Sequence, residues 1–320
     1  MSSVLDDWTI DPLEGETDEE LIKVFHAFRV ADPTGSRLGK LMRNTLDQLY
    51  DGQRTGRYSW DQLHKTERTH YGTLFEINLR REFDDVIDEP GDKQKLDYRV
   101  AGIDVDCKFS QRMNGWMIPP EARGHLMAVG YVNDRRSEFA FGVVRARPEY
   151  CNAGNNRDSK VTLNRAGRDA VRWIERPGEL PPNVLLQCDE ETLQAIFAPR
   201  SGQQRVNELL RRVTGARIGR SAIATVAQQD DFMKRVRANG GARTALRNEG
   251  YVILGGDYAK HRDAAERLGT AVPNPGEVVS VRIVPADVDE PFAAELEGSH
   301  WRIAAEAESC THPAPDVKFR

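Results

Sequence analysis

Asp97, Asp106 and Lys108 are the residues of this chain whose types and spacing could do chemistry. Ile103, Val105, Cys107 and Phe109 alternate with Asp104, Asp106 and Lys108. Alternation of this kind is the period of a strand with one buried face, so Asp106 and Lys108 project to the same side. Ala101 and Gly102 can close a tight turn, because glycine tolerates the positive φ that such turns need. With those two residues as the loop, Val100 pairs with Ile103, Arg99 with Asp104 and Asp97 with Asp106. Directly opposed residues lie about 5 Å apart at Cβ, where like charges repel. Two facing carboxylates with a lysine beside one of them suit a divalent cation better than they suit a structural role. Mg²⁺ takes oxygen ligands and is often held by one or two carboxylates plus substrate phosphate oxygens. Bound there, it would polarise a phosphoryl oxygen and lower the pKa of a water. Lys108 would orient the attacking water or offset the charge of the transition state. The chemistry indicated is metal-dependent phosphodiester hydrolysis.

The elements that must position these groups can be read around them. Phe75, Leu79 and Phe83 recur every four residues and predict a helix with an apolar stripe. Glu76 sits beside that stripe, so a helix packed on the hairpin would aim it at the same metal, or at a water bound to it. Residues 19–28 and 38–50 show helical patterns, 126–132 and 139–144 are apolar runs of strand length that should complete a central sheet, and 168–174 reads as helical. Residues 176–182, RPGELPP, form a proline-rich linker. Beyond it, 184–187 reads as a strand and 205–213, 220–228 and 231–238 as helices, with Asp230 or Asp231 as a cap. Asn239, Gly240 and Gly241 break the last of these, and a short helix 242–249 follows. Helix, glycine turn and helix make a helix-turn-helix order, with strands 251–254 and 278–284 available as a wing. Arg243, Thr244 and Arg247 would then point into a major groove, with Lys234, Arg235 and Arg237 nearby for phosphates. Gln111, Arg112 and Asn114 follow the catalytic strand and are candidates for reading bases.

Composition narrows the class. The chain has 320 residues, 39% hydrophobic and 30% charged, enough for two domains of ordinary size. No apolar run approaches the roughly 20 residues of a membrane span. Residues 1–20 carry eight acids and no lysine or arginine, unlike the basic start of a secretory signal. The four cysteines, at 107, 151, 188 and 310, show no zinc or redox spacing and suit a reducing cytoplasm, with Cys107 on the apolar face of its strand. A net charge of −5 looks wrong for a DNA-binding protein. Residues 205–247, however, hold ten basic residues against three acids, a local +7 that can engage several phosphates.

The set Glu76, Asp97 and Asp106-Cys107-Lys108 matches the PD-(D/E)xK nuclease pattern, in which an acid is followed about ten residues later by (D/E)-x-K. That motif alone is weak, since a lone Asp-x-Lys is usually a solvated strand face, and Arg99 opposite Asp104 is read as such a pair. The flanks strengthen it. Residues 45–57 (TLDQLYDGQRTGR), 61–67 (DQLHKTE), 76–79 (EINL), 105–110 (VDCKFS) and 223–237 (IATVAQQDDFMKRVR) resemble the NaeI family of type II restriction endonucleases. The resemblance covers nearly the whole chain in order; the acidic N-terminus, the insert at 84–95 and the C-terminal tail depart from it.

The resemblance implies an α/β (α+β) architecture with a PD-(D/E)xK domain at 21–174 after an acidic lead-in at 1–20. It implies a linker at 175–183 and a winged helix-turn-helix domain, similar in shape to the catabolite activator protein, at 184–320. It further implies Mg²⁺ held by Glu76, Asp97 and Asp106, a homodimer on double-stranded DNA, a GC-rich palindrome such as GCCGGC, activation by a second DNA copy in the C-terminal domain, and a restriction–modification system. Two other classes remain open at this point. One is a non-catalytic winged-helix regulator, which the intact Asp97, Asp106 and Lys108 disfavour. The other is a nicking or strand-passing enzyme, which would need a nucleophilic tyrosine; Tyr251 and Tyr258 are the tyrosines near the basic helices, and nothing around them suggests activation.

Overall fold

The computed structural model describes residues 11–88, 96–153 and 158–317. The chain divides into two compact units, one of residues 1–49 and 64–182 and one of residues 50–63 and 183–320. Both contain helices and a sheet, a mixed α+β composition. Residues 1–10 of the acidic lead-in and 89–95 of the insert lie outside the described residues.

In chain order the helices begin with α1 (Glu19–Ala31) and α2 (Ser36–Tyr50), then the single turn α3 (Gly52–Thr55) and the long α4 (Lys65–Glu82). A five-stranded sheet follows: β1 (Tyr98–Val100), β2 (Ile103–Ser110), β3 (Leu126–Asn133), β4 (Glu138–Arg145) and, after the short α5 (Arg165–Asp169), β5 (Arg172–Glu179), in spatial order β1-β2-β3-β4-β5. Only β2 and β3 run parallel. The hairpin has the register that the sequence predicts, Val100 with Ile103 and Arg99 with Asp104. Its loop takes positive φ at both Ala101 (51°) and Gly102 (77°), the primed turn whose twist fits a two-residue hairpin.

Aromatic packing seats α4 on the sheet. Phe75 stands 5.5 Å from the ring of Phe109, and Tyr71 stands 4.1 Å from it. Phe28 of α1 joins through Phe83 and Phe141 at 5.5 and 5.2 Å. Each such fully buried ring is worth roughly 1.5–3 kcal/mol. Gly130 of β3 is required here, because a Cβ would lie 2.9 Å from the Phe75 ring.

Three expectations for the first unit change. Residues 175–183 are not wholly a linker: Glu175 to Glu179 belong to β5, an edge strand where Pro177 forfeits no essential ladder bond. Residues 168–174 are not one helix, since α5 ends at Asp169 and β5 starts at Arg172. The lead-in is structural in its second half. Glu16 pairs with Arg172 at 2.8 Å, and Asp18 caps α1 through the Leu21 amide and binds Arg145 at 2.9 Å.

The second unit contains α6 (Glu190–Phe197), α7 (Gly202–Arg212), β6 (Ile218–Gly219), α8 (Arg220–Ala227), α9 (Ala242–Ala245), β7 (Tyr251–Gly255), α10 (Ala259–Arg267), β8 (Glu277–Pro285), β9 (Ala294–Leu296) and β10 (Ser299–Ile303). Its sheet runs β6-β8-β10-β9, with β7 also paired to β8. Residues 50–63, expected within the first domain, pack here. Tyr58 stacks on Phe197 at 5.9 Å, and a Cβ on Gly52 would strike the Thr225 hydroxyl at 2.0 Å.

The expected helix 231–238 is a 3-10 segment, Phe232–Val236; Asp231 makes no side-chain cap bond, and its carboxylate binds Arg235 at 2.9 Å. The helix expected at 242–249 is the single turn α9 followed by a 3-10 turn at Arg247–Glu249. The strand expected at 184–187 is a 3-10 turn, Val184–Leu186, capped by the Asn183 side chain.

Candidate active site

Parity along β2 places Asp106 and Lys108 on one face. Their partners across β3 are Met127 and Val129, which belong to an apolar cluster with Trp116, Ile118 and Val144. Asp106 is therefore only 3% exposed, deeper than the polar face of a half-solvated strand would be. Asp97 precedes β1, and its carboxylate Oδ2 accepts the Cys107 amide at 2.8 Å. The Lys108 ammonium stands 3.4 Å from that oxygen and 2.6 Å from Asp106 Oδ2, and it donates to the Cys107 carbonyl at 2.7 Å. Asp106 Oδ2 is a buried carboxylate oxygen whose close partner is this ammonium.

Burial pushes Asp106 up to about 6; Lys108 opposes this, while Asp97 and Glu121 add to it. For Lys108 burial acts against the charge, but Asp106 and Asp97 outweigh it and hold the ammonium above its ordinary value. Glu76, half-buried on α4, is raised first by burial and then by Asp97, against Lys108 and Arg80. The structure thus brings Glu76, Asp97, Asp106 and Lys108 into one electrostatic neighbourhood. Among the described residues no group of three His, Cys, Asp or Glu converges closely enough to hold an ion. The Lys108 ammonium balances the two aspartates in this arrangement, and Glu76 stands near enough for its titration to feel both Asp97 and Lys108.

The residues do fit a hard divalent cation. Asp106 is a desolvated carboxylate beside a second one, Asp97, and such a pair plus waters and phosphate oxygens is the usual Mg²⁺ donor set. Sequence reasoning missed Glu121, in the 3-10 turn Pro120–Ala122, whose charge reaches Asp106. Nothing local marks it; the loop brings it there. It also missed Arg80 and Tyr98, whose bonds run to backbone carbonyls.

The other candidates fall into two groups. Gln111, Arg112 and Asn114 lie in the loop after β2, where the Arg112 amide donates to Ser110 Oγ at 3.1 Å and Asn114 takes φ 64°. Arg112 is exposed, and Gln111 and Asn114 are partly so. In the second unit, Lys234, Arg237 and Thr244 are exposed. Lys234 and Arg235 both pair with Asp231, at 3.5 and 2.9 Å. Arg247 donates to the Ala314 carbonyl at 2.7 Å. Arg243 does not reach outward as expected: its Nε donates to the Ile253 carbonyl of β7 at 2.9 Å, and burial lowers its pKa.

Known proteins resemble the chain over most of its length. The sequence model of a family described as "Restriction endonuclease NaeI" matches residues 22–312. A protein of Lentzea aerocolonigenes named "Type II restriction enzyme NaeI" is 47% identical over 307 residues, covering 92% of this chain and 93% of its own length. With the match spanning residues of both units, the chain belongs to the NaeI restriction endonuclease family.

Proposed function

We propose that this chain is a type II site-specific deoxyribonuclease that hydrolyses double-stranded DNA with Mg²⁺. The observation that carries the reading is the Lys108 ammonium lodged between Asp97 and Asp106, with the Asp106 carboxylate buried. Asp97 and Asp106 would hold the cation, with Glu76 reaching it directly or through a bound water. When bound, it polarises a phosphoryl oxygen and lowers the pKa of a water. Asp97 is aimed by the Cys107 amide. Glu76, its pKa raised by burial and by Asp97, would be the group to accept a proton from the attacking water. Lys108 remains protonated and offsets the negative charge that grows on the phosphoryl oxygens.

This assigns catalysis and a PD-(D/E)xK core to the first unit. We assign DNA binding, in a winged-helix manner, to the second, where the basic stretch 205–247 lies. Following the sequence resemblance, we further propose a homodimer matched to a palindrome, GCCGGC as the leading target, and activation by a second DNA copy. Such activation requires that effector DNA bind the active conformation more tightly than the inactive one. DNA as substrate fits a cytoplasmic location, and no helix among the described residues is long and apolar enough to cross a membrane.

The test is cleavage of a plasmid with several GCCGGC sites, in Mg²⁺ and in EDTA, by wild type and Lys108→Ala. Discrete Mg²⁺-dependent cuts that the variant loses are the expected result. Binding without cleavage at every Mg²⁺ concentration would replace the nuclease with a DNA-binding regulator. Cuts at another sequence would keep the mechanism and overturn the target.

A further inference from the structure

Two residues outside the acid–lysine set tie its parts together. Tyr98 is fully buried, and its hydroxyl donates to the Glu76 carbonyl at 2.6 Å. The thiol of Cys107, the residue between Asp106 and Lys108, is a close electrostatic neighbour of the same hydroxyl. Arg80 lies one helical turn after Glu76. Its Nη2 donates to the Asp97 carbonyl, and its guanidinium lies 5.6 Å from the centroid of the Tyr98 ring. Three separate segments meet at this pair: the helix that carries Glu76, the residue that precedes β1, and the strand that carries Asp106 and Lys108.

The contacts differ in kind from those that seat the helix. Phe75 and Tyr71 against Phe109 hold α4 to the sheet through non-directional apolar contact, which tolerates small sliding. Hydrogen bonds to the Glu76 and Asp97 carbonyls are directional and fix the register between helix and hairpin. A small hard cation demands near-ideal octahedral geometry, and displacements of about 0.5 Å are enough to spoil a site.

We propose that Tyr98 and Arg80 are positioning residues that set the spacing of Glu76 from the Asp97–Asp106 pair, and through it the affinity of the site for a divalent cation. The proposal rests on the nuclease reading above for its consequence in catalysis, and on geometry alone for its consequence in metal binding. Partners that orient metal ligands without touching the ion typically change affinity or activity by about 10- to 100-fold when lost.

The experiment compares wild type, Tyr98→Phe, Arg80→Gln and Arg80→Lys. Binding of Mn²⁺ to the DNA-free protein is read by the electron paramagnetic resonance of unbound Mn²⁺. The Mg²⁺ concentration for half-maximal plasmid cleavage and the unfolding midpoint are measured alongside. In Tyr98→Phe and Arg80→Gln, the Mn²⁺ dissociation constant and the Mg²⁺ midpoint should rise together by about tenfold or more, while DNA affinity in EDTA stays at the wild-type value. Arg80→Lys, which keeps a cationic donor, should recover part of the loss. Should Tyr98→Phe not fold, Arg80→Gln decides, since it removes a partly exposed group.

Unchanged Mn²⁺ affinity in folded variants would overturn the proposal, as would lost cleavage that tracks lost folded protein at an unchanged Mg²⁺ midpoint. A wild type that binds Mn²⁺ but never cuts DNA would end the nuclease reading; the Mn²⁺ titrations would still decide whether the clamp sets metal affinity. A wild type that binds no Mn²⁺ would overturn both.

Discussion

The two units carry their charge in opposite ways. In the first, a few charged groups are buried and held against one another: Lys108 between two aspartates, one of them 3% exposed. In the second, many arginines are present, but a good part of them serves the unit's own structure. Arg243 binds the Ile253 carbonyl, Arg247 the Ala314 carbonyl, Arg205 the Val226 and Ala227 carbonyls, and Arg211 the carboxylates of Glu208 and Glu249. Counting charges along the sequence therefore overstates the second unit's surface potential and understates what a single lysine does in the first. A desolvated charge perturbs its neighbours strongly, whereas a solvated or internally paired one is largely screened.

The contrast can be broken most directly at Lys108. Its replacement by alanine should slow cleavage by about 10²–10³-fold, measured under single-turnover conditions, because the charge that balances the phosphoryl oxygens is gone. A loss below tenfold would place Lys108 outside the chemistry. Next in size is a packing test of the segment shared between chain halves. Gly52→Ala should destabilise the protein by about 1–3 kcal/mol in urea titrations, because its Cβ meets the Thr225 hydroxyl. A neutral result would remove residues 50–63 from the second unit.

Acid stability sharpens the comparison further. Asp18 and Glu308 are each held near a pKa of about 2, chiefly by hydrogen bonds from Arg145 and Arg302. Their folded values lie below the unfolded ones, so the stabilisation is complete above about pH 4 and fades as pH falls toward 2. Asp18, with a side chain 8% exposed, should contribute about 2 kcal/mol by the linkage relation. The Glu308 pair, 30% exposed, should contribute less and weaken in 1 M salt. Denaturation of Asp18→Asn and Glu308→Gln between pH 2 and 6 checks the order. The smallest effect is expected on the DNA-facing side. Arg237→Ala, at an exposed position, should weaken DNA binding and lower the salt slope by about one. Arg243→Ala should instead lower stability and leave that slope nearly unchanged. Equal slopes for the two variants would show that both side chains reach phosphate.

Sequence reasoning reached different depths in the two units. The hairpin could be read closely because a strand's side chains alternate by backbone geometry alone, and Gly102 marked the loop. The helix of Glu76 was legible from Phe75, Leu79 and Phe83, whose spacing matches the helical repeat. The helices expected at 231–238 and 242–249 were not: Asp231 looks like a cap but makes no cap bond, and 242–249 divides into α9 and a 3-10 turn. Pro177 looked like a linker, yet an edge strand tolerates the missing donor.

By itself, the sequence determined which residues share a face of β2, where the chain turns back, and that Asp106 and Lys108 stand together, because these follow from local backbone periods. The tertiary structure alone decided that Asp106 is buried, that Arg243 turns inward, that residues 50–63 join the second unit, and that Tyr98 and Arg80 bind the carbonyls of Glu76 and Asp97. Those outcomes depend on which distant segments exclude water from a group and which carbonyl lies within reach of its donor, and no local spacing encodes either.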